Sequence, residues 1–125
     1  MPEQQGEEQD AINRATLDNL LETTGGDPAF LAELIDTYFE DSATLLPAMR
    51  EALAAGSAEQ LRRAAHSLKS NSASFGAQEL AIRCRALEEQ SQAGALGGAA
   101  AERLAQVEAE YERVRRALQA ARPAA

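Results

Sequence analysis

Between Pro28 and Leu53 the chain returns to apolar side chains at intervals of three and four: Phe30, Leu31, Leu34, Ile35, Tyr38, Phe39, Leu45, Met49 and Leu53. That period gathers them on one side of an α-helix and scatters them over both faces of a strand, so the stretch cannot be a half-buried strand. The same spacing recurs in Leu17, Leu20 and Leu21, in Leu61, Ala65, Leu68, Ser72 and Phe75, in Leu80, Cys84 and Leu87, and in Leu104, Val107, Tyr111, Val114 and Leu118. No stretch carries a strand signal. Ala, Leu, Glu, Arg and Gln dominate, β-branched residues are few and Trp is absent, so the core is built mainly from Leu and Ala.

Helix-ending signals separate these stripes. Residues 14–23 form a short first helix, stopped by Gly25 and Gly26. Asp27 caps the next, with Pro28 at its first position. Pro47 lies inside that run and predicts a kink or short break, because it removes a donor and crowds the preceding turn. Gly56 ends the element. Ser57, with Gln60 three residues on, reads as a capping box opening a third helix that finishes near Phe75, with Gly76 as a left-handed stop. A fourth helix ends before the glycine-rich loop SQAGALGG, and the last runs from about Ala99 to Ala121, closed by Pro123. The expected fold is all-α: an antiparallel up-and-down four-helix bundle with a short extra N-terminal helix. Residues 1–11 are expected to be a disordered acidic tail, and residues 12–122 the helical domain.

Charge and composition exclude several functions. A net charge of −8 disfavours binding to nucleic acid or to an anionic membrane surface. No apolar stretch is long enough to span a bilayer and no signal peptide precedes the domain, so a cytoplasmic location is expected. The Met1 start and acidic tail lean towards a free-standing protein. The single cysteine, Cys84, excludes an intramolecular disulfide and, on an apolar face, reads as a small core residue. A metal-binding bundle needs several inward Glu and His ligands. Here there is one histidine, with no glutamate three residues before it, so no metal site is expected. The glycines near 94–98 lack the strand, Lys and Ser/Thr of a phosphate-binding loop, and no Ser-His-Asp arrangement is visible.

What remains is the only histidine, His66, within RRAAHSLKSNSASFG at residues 62–76. At roughly 100° per residue it lies roughly 140° from the centre of the stripe Leu61, Ala65, Leu68, Ser72 and Phe75, and so faces water. Arg62 lies one turn before it and Lys69 one turn after it on the same flank. Arg62, Arg63, Lys69, Arg83 and Arg85 gather around the stretch, either as a solvated face with helix-stabilising pairs or as a setting for an anion. An imidazole that is neutral near pH 7 is a competent nucleophile, and Lys69 is placed to neutralise an anion loaded on it. The neighbours Ser67, Ser70, Ala73 and Ser74 are small and leave room for another protein to approach.

His66-Ser67-Leu68-Lys69, followed by small residues and Phe75-Gly76, resembles the H-x-L-K-G…G signature of histidine-containing phosphotransfer (HPt) domains. The resemblance continues through Leu80, Cys84, Leu87 and Glu88 and, by helix order, covers roughly residues 14–121. It implies a phosphorelay intermediate of a two-component system. His66 would accept a phosphoryl group from an aspartyl phosphate on a receiver domain and pass it to another receiver. Lys69 would stabilise the phosphoryl oxygens. Glu88 either fixes the imidazole tautomer from the adjacent helix or is an ordinary helix carboxylate. Arg62, Ser67, Ser70 and Ala73 would form the docking surface, and exposed apolar residues of the first helices, Leu17, Leu20 and Leu31, would extend it. The partners implied are receiver domains of a response regulator or hybrid histidine kinase. Mg²⁺ is expected on the receiver, with no cofactor and no intrinsic kinase activity in this chain, which is expected to be a monomer. One departure stands out: Ser70 occupies the position where the family has glycine, and the hydroxyls of SNSAS either reach phosphate or face solvent. The rival class is a non-catalytic four-helix adaptor, or a degenerate HPt domain, that binds a receiver without phosphotransfer. An enzyme using His66 as general base lacks a second catalytic group.

Overall fold

The computed structural model describes residues 11–124. These form five helices: α1 (Arg14–Thr23), α2 (Pro28–Ala55), α3 (Ala58–Ser74), α4 (Gln78–Gln92) and α5 (Gly98–Ala121). Each long helix packs on the next and α5 closes back onto α2, with α1 laid against α2. The connections are too short for anything but reversal at each turn, which makes the bundle antiparallel and up-and-down. Most of the proposed tail, residues 1–10, lies outside the described residues. Ala11, assigned to that tail by its polar neighbourhood, is instead buried with Ile12 in the core.

The helix ends follow the local chemistry of the sequence. Asn13 accepts from the Thr16 amide, Asp27 from Ala29 with Pro28 behind it, and Ser57 from Gln60 at 3.3 Å. Ser57 forms only half of a capping box, because its own amide is already committed to the Ala52 carbonyl. Helix α4 overruns the expected loop by two residues: Ser91 is buried and its hydroxyl donates to the Leu87 carbonyl. Pro47 produces no break. Helix α2 continues through it, since Pro47 and Ala43, whose carbonyl loses its partner, both lie on the solvent side.

The core runs along the inner stripes and is anchored by Ile35, Met49, Leu61, Leu68, Leu80, Leu87, Val107, Val114 and Leu118. Cys84 is fully buried among them, and burial pushes its thiol up to about 12. At one level the core contains a polar cluster. Tyr38, buried against Phe75 and Tyr111, shares a 2.8 Å hydrogen bond with Ser72, and Ser42 donates to the Tyr38 carbonyl at 2.7 Å. Because Ser72 and Tyr38 are both buried, the α3 face carrying Ser72 can sit against α2 in only one rotation without orphaning a hydroxyl.

Gly76 joins this helix to the N-terminus. Its φ of 76° is left-handed, and a Cβ there would stand 3.0 Å from the Asn13 amide nitrogen, carbonyl oxygen and Cβ. The close approach lets the Asn13 amide donate to the Gly76 carbonyl at 2.9 Å, so the N-cap of α1 is held on the end of α3. Gly76→Ala is therefore expected to destabilise the domain by at least about 2 kcal/mol, the left-handed penalty plus a clash with backbone that cannot yield. Equilibrium urea denaturation measures it.

Candidate functional site

His66 stands at the middle of α3, eight residues from either end, where fraying is least. Leu61, Ala64, Ala65, Leu68 and Ser72 bury the opposite face and hold the helix rotation. The imidazole consequently projects into solvent, with its side chain 53% exposed. This is the outward placement expected from the helical arithmetic.

Helix α4 supplies the partner. Glu88, only 14% exposed, places Oε2 2.9 Å from His66 Nδ1 and Oε1 2.7 Å from Lys69 Nζ. A carboxylate only accepts, so Nδ1 carries the proton and Nε2 presents its lone pair outward. Burial pushes the Glu88 carboxyl up, but the hydrogen bonds from Lys69 and His66, and their charges, outweigh that and hold it below the ordinary value of 4.5. Of the two readings of Glu88, the structure shows a carboxylate that contacts both His66 and Lys69 rather than one facing open solvent.

The positive neighbourhood is compensated charge by charge. Glu59 takes Arg62 at 2.7 Å and Arg63 at 2.9 Å, and the two guanidinium groups hold its carboxyl down to about 2. Arg83 pairs with Glu79, Arg85 with Glu89, and Lys69 with Glu88. The reading as a solvated face with helix-stabilising pairs thus describes four of the five, while Lys69 pairs across helices with the carboxylate that also holds His66.

Two grooves flank this ridge. On the α2 side, Asp41, Thr44 and Leu45 face His66, Ser67, Ser70 and Asn71. On the α4 side, Lys69, Ser70 and Ala73 face Ala81, Ile82 and Arg85. Ser70 and Ala73 are exposed on the face that carries the histidine, whereas Arg62, tied to Glu59, is less available than its position suggests. The apolar patch expected from the first helices is not there: Leu17 and Leu31 belong to the core, and Leu20 packs against it. They face inward because α1 lies flat on α2 and closes that end of the bundle. Exposed apolar surface occurs instead at Ile82, 61% accessible, and at Phe30. Ile82 was legible: it lies two residues from both Leu80 and Cys84, roughly 200° round the helix and thus on its outer face. Among the described residues no cluster of three or more His, Cys, Asp or Glu forms a metal site, and no helix is long and apolar enough to cross a membrane.

The lowered Glu88 carboxyl has a sign. A group whose folded value lies below its unfolded one contributes stability that is complete above the unfolded value, near 4.5, and is lost as pH falls through the folded value. Glu88→Gln should therefore show a smaller loss of stability than the wild type on acidification across that window. Denaturant unfolding at a series of pH values measures the difference.

Comparison with known proteins agrees with this geometry. The sequence model of the Hpt domain matches residues 33–117. The crystal structure of histidine-containing phosphotransfer protein B (HptB) from Pseudomonas aeruginosa PAO1 is 34% identical, with a TM-score of 0.82 over 90% of this chain and 94% of that one. The histidine-containing phosphotransfer protein ZmHP2 from maize shares the fold at 24% identity, with a TM-score of 0.75 over 88% of this chain and 86% of its own. A comparison with curated proteins found no match. With the family model spanning well over half its length, the chain belongs to the Hpt domain family, whose role is histidine phosphotransfer in a phosphorelay.

Proposed function

We propose that His66 is the phosphorylated residue, taking a phosphoryl group from an aspartyl phosphate on one receiver domain and delivering it to another. One observation carries this reading: the exposed imidazole is held through Nδ1 by Glu88, which leaves Nε2 as the outward nucleophile. Phosphoryl transfer asks the protein mainly for in-line positioning and charge neutralisation, and an imidazole braced at mid-helix supplies the first. Lys69 supplies the second. It sits one turn away, and its ammonium can leave Glu88 Oε1 for the phosphoryl oxygens with a rotation of its flexible stem. Mg²⁺ and the acidic pocket belong to the receiver, a domain of a response regulator or hybrid histidine kinase. This chain needs no cofactor or kinase activity of its own.

The receiver would seat on the ridge formed by Ser67, Ser70 and Ala73, with Leu45 and Ile82 as apolar contacts in the flanking grooves and Arg62 at the rim. Ser70, which lines both grooves, keeps the contact small while adding a hydroxyl one turn from His66.

Incubation with a phosphorylated receiver should place acid-labile, base-stable phosphate on the wild type and none on His66→Gln. Absence of label on the wild type, or equal label on the variant, overturns the assignment in favour of an adaptor. Lys69→Ala should slow transfer about tenfold or more with the fold intact, since it removes a charge aimed at the transferring group; rapid-quench kinetics with circular dichroism tests both halves. Ile82→Asp should weaken receiver association by about tenfold in calorimetric titration, the cost of putting a charge into an apolar contact.

A further inference from the structure

We propose that the charge of Glu88, beyond its hydrogen bond, sets how readily phosphorylated His66 gives up its phosphoryl group. The proposal rests on His66 being the phosphorylated residue. When the Nε2 lone pair attacks phosphorus, the bond from phosphorus to the receiver's aspartyl oxygen breaks and its electron pair stays on that carboxylate. The ring is left positively charged, with its proton still on Nδ1. In the onward step a receiver carboxylate attacks phosphorus, the P–Nε2 bond breaks, and the electron pair returns to Nε2. The ring leaves as neutral imidazole only if Nδ1 has kept its proton. A ring that has lost it must leave as an imidazolate anion, a far poorer leaving group.

Whatever holds the Nδ1 proton therefore governs the lifetime of the phosphorylated state. An amide at this position could accept the same hydrogen bond, but a carboxylate adds a full negative charge against the cationic ring. The charged groups around the imidazole leave this role to Glu88. On α3, Arg62 is hydrogen-bonded to Glu59, though near enough to Glu88 for their charges to interact, and Lys69 pairs with Glu88 Oε1. On α4, Arg85 pairs with Glu89. On α2, Asp41 lines the neighbouring groove without a hydrogen bond to the ring among the described residues. Among the described residues Glu88 is the hydrogen-bond partner of the imidazole, from a position shielded enough for its charge to be felt. The shared carboxylate also couples the two steps. As Lys69 Nζ moves from Oε1 to the phosphoryl oxygens, less of the Glu88 charge is compensated, and more is available to the Nδ1 proton.

The test needs no receiver. Wild type and Glu88→Gln are loaded with phosphoramidate, a small phosphoryl donor, and first-order phosphate release is followed against pH. The decay rate is independent of the extent of loading. A carboxylate within contact distance extends the protonated, labile form to higher pH, so the variant's fall-off in lability should lie about one pH unit lower, and its half-life near pH 8 should be about tenfold longer. Lys69→Ala keeps the carboxylate on Nδ1 and should not displace the profile downward. Superimposable profiles for wild type and Glu88→Gln, or faster decay of the variant, overturn the proposal. Failure of the wild type to label on His66 overturns instead the assignment on which it rests.

Discussion

The site depends on the rotational setting of α3. The helix is held by the burial of Leu61, Ala65 and Leu68 on one face and by the Ser72 hydroxyl, which must meet Tyr38 inside the core. Apolar burial alone tolerates small rotations, since it is proportional to area and has no direction. A buried hydroxyl pair does not, because turning it out of register leaves two polar groups without partners. This combination directs His66 and Lys69 outward together, on the side where α4 presents Glu88.

Glu88 ties the packing of α4 to the side chains of His66 and Lys69. Its neighbour Leu87 is fully buried in the core, so the backbone of α4 at this point is as fixed as that of α3. A carboxylate on a fixed backbone, largely shielded from water, holds two cationic or potentially cationic partners at hydrogen-bond distance from its two oxygens. The remaining charges nearby are mostly closed within single helices, where exposed pairs contribute little and leave the surface locally neutral. The imidazole is therefore held by one carboxylate rather than set in a general basic patch.

The flanking surface follows from the same geometry. With α1 covering one end of the bundle, Leu17 and Leu31 are consumed by the core and offer nothing to a partner. The grooves beside α3 remain open because the residues along its outer face are small: Ser67, Ser70, Ala73 and Ser74. The proposed receiver would approach this ridge closely, with Leu45 and Ile82 offering apolar surface at its sides.

By itself the sequence determined the helices, their order, their caps and the outward direction of His66. Each of these depends on residues within a few positions of one another: the stripe period, Asp27-Pro28, Ser57 and Gly76. Those interactions have fixed geometry whatever the rest of the chain does. The Hpt character was legible for the same reason, since His66, Lys69 and the small residues after them lie within three turns of one helix. Only the tertiary structure decided that Glu88 binds His66 and Lys69 at once, that Pro47 passes without a break, and that Leu17 and Leu31 face inward. These outcomes turn on the rotation of each helix against its neighbours. That rotation is set by long-range packing such as Tyr38 on Ser72, thirty-four residues apart, which no local pattern encodes.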